Sequence, residues 1–373
     1  MGINLFNLQA QYASLVPEVE QRIYDLLKDT AFVGGAPLAN FEEHFAYYHS
    51  IKHCVGVGSG TDALWLSLLA LGIKPGDEVI VPSQTFIATA FAASHVGAKV
   101  VFIDADPKSY NMDLEQLDSL ITNKTKAIMP VHLYGNPCDV EKIKEIIGDR
   151  DIKIIEDCAQ ATGAKLRGRF VGTIGDVGCF SFYPSKNLGG LGQGGAVITN
   201  DDAVAKKVRE LGNVARVEGS HFDFNDVGFN SRLDSINAVF LDRCLLDLTH
   251  WNIKRILLSH VYNENLSSFG GLITPFVEEG SRHVYHLYQI KCLDKGMRDG
   301  LKNYLNQKDI GAGVYYPIPC HKQPIYDVEG FSLPVTEKLS ETLLALPLNP
   351  ALTEEEVQYI CKEVRKFIKR WWE

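Results

Sequence analysis

The chain has 373 residues, 46% of them hydrophobic and 22% charged, a balance that excludes a disordered chain and suits a soluble globular protein. Its net charge of -9 leaves no basic stripe and argues against nucleic acid as a partner. The length allows two domains around one cleft, with a core that needs neither disulfides nor metal to hold it.

The N-terminal "MGINLFNLQAQY" has no basic n-region or long apolar core, and Phe6 stands where a myristoylation motif wants Ser or Thr. The eight cysteines are scattered, without C-x-x-C or zinc spacing, and read as buried free thiols of a cytoplasmic protein. No metal site is expected. In chain order, "HCVGVGSG" predicts a strand and turn, and "TDALWLSLLALG" a helix stopped by Gly72. "DEVIVPS" predicts a strand, "TFIATAFAASHVG" a helix, "AKVVFIDAD" a strand. "KAIMPVHLYG" and "IKIIEDCA" continue the scheme around a helical "DVEKIKEIIGD". This alternation predicts an α/β fold with a mostly parallel sheet flanked by helices. "GDVGCFSFYP" and "GGAVITND" read as two more strands. A helix-rich stretch follows, with a long helix near 245–270 and no hinge peptide. From about Gly270 a smaller α+β pattern begins with "HVYHLYQIKC". A helix near 298–308, the segment "GVYYPIPC" and a last helix from "TEEEVQYICKEV" complete it. We therefore expect a large domain over 1–250 and a smaller one over 251–373. The amphipathic end "VRKFIKRWWE" is expected to pack on the small domain or a second subunit rather than on a membrane.

Three stretches carry candidate chemistry. In "VGVGSGTDAL", glycines after a strand and the helix start near Thr61 offer backbone N–H groups to an anion. Thr61 stands where a dinucleotide fingerprint needs its third glycine, which makes a nucleotide-dependent oxidoreductase improbable. Taken alone, the stretch reads as an ordinary capped helix. In "KIIEDCAQATGA", Asp157 ends a strand, where ligands of open α/β sheets lie. A cation partner and a helix cap are about equally good readings of it. In "FSFYPSKNLGGLGQGG", Lys186 follows a strand and precedes a glycine-rich turn, in the wrong order for a P-loop. In a cleft near an aspartate its amine would be a nucleophile of lowered pKa, although most lysines are simply solvated. Ser181 and Tyr183 alternate on the preceding strand and face one side.

An anion cradle, a strand-end aspartate and a later lysine, in that order, form the layout of a pyridoxal-phosphate site. With "GVGSGTDAL", "PSQTFIATA", "PVHLYGNP", "EDCAQATGA", "SFYPSKN", "GFNSRLDSINAVFL" and "YYPIPCHKQPIY", the chain resembles the DegT/DnrJ/EryC1/StrS family over nearly its whole length. These are nucleotide-sugar aminotransferases of aspartate-aminotransferase-like fold type I. The resemblance implies that Lys186 binds pyridoxal 5'-phosphate covalently and shuttles a proton, with a pyridoxamine phosphate intermediate. It implies that Asp157 meets the pyridine nitrogen, Gln160 the ring hydroxyl and Phe86 the ring face. It gives Gly60, Thr61 and Ser181 to the phosphate, and Asn230 to the phosphate of a neighbouring subunit, hence a homodimer with shared sites. Members with histidine in place of the lysine dehydrate instead, so the lysine favours amino transfer.

"QAQYASL", "HLYGNP" and "YYPIPCHKQPIY" look most like the branch that aminates C3 of dTDP-3-keto-6-deoxyhexoses with L-glutamate. C4 amination, a UDP-linked 3-keto sugar, or a non-catalytic sensor or scaffold are the alternatives. Tyr183, Tyr316 and His321 are candidates to face the sugar; packing of a Pro-rich turn explains Tyr316 and His321 nearly as well. Gly190 and Gln193 depart from the expected Ala and Asp, "LGNVARVEG" replaces the usual turn, and Cys158 replaces a small Ala.

Overall fold

The computed structural model describes residues 2–217, 219–220, 222–267 and 269–373. Met1, and Glu218 within the unusual turn, lie outside them. The strands are β1 (His53–Val57), β2 (Glu78–Pro82), β3 (Lys99–Ile103), β4 (Thr125–Ile128), β5 (Lys153–Asp157), β6 (Lys165–Leu166) and β7 (Arg169–Phe170). They continue with β8 (Val177–Ser181), β9 (Gly195–Thr199), β10 (Leu272–Ile273), β11 (Ser281–Arg282), β12 (Tyr288–Cys292) and β13 (Leu343–Leu346).

A seven-stranded sheet runs in the order β1-β9-β8-β5-β4-β2-β3. Every pair from β8 to β3 is parallel, and β9 alone runs against both its neighbours. Alternation along the strands sends side chains to two apolar layers, as the period of two requires. Val55, Val79, Val81 and Val197 join helices Gly60–Ala70, Ala88–His95 and Asp202–Gly212 on one face. On the other face Cys54, Ala196 and Ile198 meet Phe41, Phe45 and Leu241, while Ile80 and Ile154 meet Ile143 and Ile147. Strands buried on both faces read as the continuous apolar runs seen in "EVIVP" and "VGCFS".

Helix Ser235–Leu266 is 32 residues long, about 48 Å at 1.5 Å per residue. The expected division at 250 falls inside it. Its first half packs in the layer containing Phe41, and Leu258, Tyr262 and Leu266 pack against the β10-β12-β13 sheet. The last helix, Glu354–Trp372, starts at a Thr353/Glu356 capping box. It buries Val357, Ile360, Val364 and Ile368 in that same core, as its amphipathic pattern predicts. Among the described residues no helix is long and apolar enough to cross a membrane, and all eight cysteines are free and buried.

Candidate active site

Three parts of the large sheet converge on one cleft. After β1, Ser59 caps helix Gly60–Ala70 by accepting the N–H of Asp62 (3.1 Å). The N–H groups of Gly60 and Thr61 belong to the unpaired first turn and are free for an anion. Glycine at residue 60 allows this close approach, because a Cβ there would lie 2.6 Å from Cβ of Ser181. The end of β8 thus lies directly on the helix N-terminus, and Thr61 and Ser181 both line the cleft beside it.

Asp157 closes β5 with its carboxylate buried. Its Oδ2 accepts the Thr89 hydroxyl (2.8 Å) and its Oδ1 the N–H of Ala159 (3.1 Å). Burial raises its carboxyl pKa, and those two bonds and the Lys186 charge only partly counter this. Gln160 is oriented by its own contacts. Its Oε1 accepts the Tyr134 N–H (2.7 Å), so Nε2 donates to the Tyr316 hydroxyl (2.9 Å) and keeps a second N–H. Glu156 turns the other way, to Nε2 of His132 and the N–H groups of Gly172, Ile174 and Gly175. Cys158 Sγ completes a close trio with His132 and Glu156, but Nδ1 of His132 already accepts the Cys138 N–H. The trio is a filled hydrogen-bond network.

Lys186 sits in a turn in which its N–H reaches the Tyr183 carbonyl (2.8 Å). Burial lowers its amine pKa to about 8, against the opposing pull of Asp157. The glycines after it serve the chain path. Gly190 sends its N–H to the Phe182 carbonyl (2.7 Å), and a Cβ on it would lie 2.8 Å from Oδ1 of Asn237. That carboxamide holds the loop from both sides, accepting the Leu191 N–H (2.7 Å) and donating to the Gln193 carbonyl (2.9 Å). The glycine at 190 therefore makes room for Asn237.

The cleft has a volume of about 550 Å³. Of the residues singled out in the sequence, Gly60, Thr61, Phe86, Asp157, Gln160, Ser181, Tyr183, Lys186, Gln193 and Tyr316 line it. The Phe86 and Tyr316 rings lie 5.9 Å apart. His321 and Asn230 are not among the cleft-lining residues, a place the family resemblance does not give Asn230 in its own chain. His321 does not face the cleft. It is fully buried, with Nδ1 on the Ser83 hydroxyl (2.6 Å) and Nε2 on Glu337 (3.0 Å), an arrangement that fits packing of the Pro-rich turn. Asn230 is exposed outside the cleft, where its Oδ1 accepts an Arg232 N–H (2.6 Å). The sequence reading missed Thr89, the Asp157 partner, and His286, which lines the cleft from the segment before β12. Thr85, in the bend before helix Ala88–His95, places its hydroxyl 3.0 Å from that of Thr89.

The model of the DegT/DnrJ/EryC1/StrS aminotransferase family matches residues 14–365. A UDP-N-acetyl-3-dehydro-alpha-D-glucosamine 3-aminotransferase of Acidithiobacillus ferrooxidans is 41% identical over 98% of both chains. A dTDP-3-amino-3,6-dideoxy-alpha-D-galactopyranose transaminase of Aneurinibacillus thermoaerophilus is 39% identical over 94% of this chain and 95% of its own. The crystal structure of S. venezuelae DesV in complex with a ketimine intermediate superposes with a TM-score of 0.94, at 37% identity over 99% of both chains. The chain has fold type I and belongs to the DegT/DnrJ/EryC1/StrS family of pyridoxal-phosphate-dependent sugar aminotransferases.

Proposed function

We propose that this chain transfers the amino group of L-glutamate to C3 of a nucleotide-linked 3-keto hexose. The sugar is a dTDP-3-keto-6-deoxyhexose, and the products are the dTDP-3-amino-3,6-dideoxyhexose and 2-oxoglutarate. One observation carries the reading: a lysine amine of pKa about 8 shares a cleft with a buried carboxylate and an unpaired helix N-terminus. The donor set fits pyridoxal phosphate. Gly60, Thr61 and Ser181 suit its phosphate, and Asp157, a buried carboxylate with only two hydrogen-bond donors, suits a pyridinium N–H. The spare Gln160 N–H suits the ring hydroxyl, and Phe86 the ring face. Bound there, the cofactor supplies an electron sink that acidifies the carbon carrying the migrating nitrogen. With its lowered pKa the Lys186 amine exchanges a proton near neutral pH, as a general acid–base group must. Residues 1–250 carry these groups, and 251–373 contribute His286, Tyr315 and Tyr316 to the opposite wall.

Lys186 is the one cationic side chain among Lys and Arg on the described cleft wall, too little for a cofactor phosphate and a nucleotide diphosphate together. Exposed Asn230 and Arg232 on the 213–232 segment suit delivery into the cleft of a second copy. This supports a homodimer with shared sites. The 41% identical relative named for a UDP-linked 3-keto sugar favours UDP as the second reading. The test is a panel of dTDP- and UDP-linked 3-keto and 4-keto sugars with glutamate, alongside Lys186→Ala. We expect turnover on dTDP-3-keto sugars and neither turnover nor the yellow colour in the variant. An active Lys186→Ala enzyme refutes the lysine assignment; a preference for UDP or 4-keto sugars refutes the substrate; a colourless, inactive wild type supports a sensor.

A further inference from the structure

Thr89 is the second residue of helix Ala88–His95, fully buried, among the residues of the cleft. Its Oγ1 has three neighbours: Oδ2 of Asp157 (2.8 Å), Oγ1 of Thr85 (3.0 Å) and the Phe86 carbonyl (3.2 Å). A hydroxyl has one proton, so it can serve only one of the two acceptors that never donate. The Phe86 carbonyl already accepts the backbone N–H of Thr89 (3.2 Å). The carboxylate is nearer and, when ionised, binds a donor about twice as strongly as a neutral oxygen does. The Thr89 proton therefore points at Asp157. The role of Thr85 follows. Its hydroxyl is on a buried residue and has Thr89 Oγ1 as its one hydrogen-bond partner among the described residues. With the Thr89 proton directed at the carboxylate, Thr85 must be the donor between the two hydroxyls.

The carboxylate is thus held at both oxygens. The Ala159 N–H on Oδ1 (3.1 Å) is local, two residues along the chain. Thr89 comes from 68 positions away, on a separate helix, and is the side chain's one donor from another element among the described residues. Burial acts against the ionised form. The Ala159 N–H, the Thr89 hydroxyl and the charges of Lys186 and His132 oppose it. Tyr316, Cys158 and Cys179 are further titratable neighbours.

We propose that Thr89 is a positioning residue for Asp157. Backed by Thr85, its hydroxyl sets the plane of the carboxylate and favours its ionised form. The remaining lone pairs of the two oxygens are then ready for a cationic N–H that a ligand brings. Residues 85–89 so combine two tasks, since Phe86 lies between the two threonines and also lines the cleft. The proposal rests on Asp157 being the partner of the pyridine nitrogen. Neither threonine gives up its proton: the chain of hydroxyls orients and stabilises a charge and transfers nothing.

The test titrates Asp157 in the cofactor-free full chain, with ¹³Cγ-labelled aspartate read by NMR. The signal lost in Asp157→Asn identifies it. Thr89→Val keeps the shape of the side chain and removes the hydroxyl. Its Asp157 pKa should rise by about one unit, a tenfold change in proton affinity, for one hydrogen bond lost from the charged form. Thr89→Ser, which keeps the hydroxyl, should restore most of the shift. Thr85→Val removes only the outer link and should shift the pKa less than Thr89→Val does. In equilibrium titration Thr89→Val should weaken pyridoxal phosphate binding about three- to tenfold. In turnover its kcat should fall roughly tenfold, with KM for the sugar changed less than about threefold. An unchanged Asp157 titration in folded Thr89→Val overturns the proposal, and an equal or larger shift in Thr85→Val overturns the order of the chain. Unchanged cofactor affinity in Asp157→Asn refutes the Asp157 reading instead, while the titration still decides the role of Thr89. If Thr89→Val does not fold, neutron diffraction from deuterium-exchanged wild-type crystals decides. A Thr89 deuterium on the line to Oδ2 supports the proposal, and one on the line to the Phe86 carbonyl overturns it.

Discussion

A lysine kept partly out of water for chemistry should destabilise the empty protein, and the size of that effect can be worked out. The Lys186 amine drops from 10.5 to about 8, a gap of roughly 2.5 units, or about 3 kcal/mol at 1.36 kcal/mol per unit. The amine still meets the water of the cleft, so about 2 kcal/mol is the better expectation. The sign is as follows. Between pH 8 and 10.5 the unfolded chain holds the proton and the folded chain has released it, so stability rises with pH through that window. Below pH 8 the penalty is present in full. Lys186→Met keeps the length of the side chain and removes the charge. In cofactor-free protein at pH 7 it should stabilise the fold, by up to about 2 kcal/mol less whatever Asp157 loses with its cation. The gain should shrink steadily from pH 8 to 10.5. Urea unfolding of cofactor-free wild type and variant, in parallel from pH 6.5 to 10.5, reads this directly. A difference that stays constant across the series would show that the amine titrates at its ordinary value, and the argument that burial activates it would fall.

Two further outcomes separate the site from its support. Gly60→Ala places a Cβ 2.6 Å from Cβ of Ser181, an overpacking that costs about 1–3 kcal/mol and moves the helix N-terminus off the strand end. Pyridoxal phosphate affinity, followed by equilibrium titration, should fall at least tenfold while the fold persists; unchanged affinity refutes the cradle. His321→Phe breaks the side-chain bonds to Ser83 and Glu337 and leaves the Ser83 O–H without its acceptor in the core. Oγ of Ser83 still accepts the backbone N–H of residue 321, and the change should cost about 1–3 kcal/mol in denaturant unfolding. Its KM for the sugar should stay at the wild-type value, since His321 does not reach the cleft; a raised KM would restore it as a substrate contact.

The parts of the site legible in the sequence are those set by local rules. Asp157 and Ser181 end strongly apolar strands, and Gly60 starts a helix, so each announces its place at a strand end. Lys186 stands beside turn residues that fix its loop. What stayed hidden depends on partners far along the chain. His286 and Asn187 are 99 positions apart, and His321 and Ser83 are 238 apart. No periodicity reports such pairs. The segment "GVYYPIPC" forms the isolated Gly313–Ala345 bridge and no longer ladder, as Pro317 and Pro319 lack the N–H that a ladder requires. The family resemblance gave Asn230 its role, yet the residue is exposed and outside the cleft of its own chain, and only a second copy can complete that contact.

Neighbouring residues of like chemistry show how this chain separates support from function. Glu156 and Asp157 end the same strand and are both buried. Burial pushes the Glu156 carboxyl up, but His132 and the N–H groups of Gly175 and Gly172 outweigh it, and the carboxylate is held below its ordinary value. Asp157 has one hydroxyl and one N–H, and burial wins. Glu156 has nothing left to offer a ligand, whereas Asp157 gains most from a cation that a ligand brings. His283 and His286 repeat the contrast. His283 accepts the Tyr285 N–H on Nδ1 (2.9 Å) and stacks on the Tyr285 ring at 3.8 Å, which commits it to the fold. His286 meets Oδ1 of Asn187 through its Nδ1 (3.2 Å) and lines the cleft. An incompletely bonded polar group in a buried wall costs stability. Asp157 and His286 both border the cleft of Lys186, whereas the Glu156 carboxylate is bonded away from it.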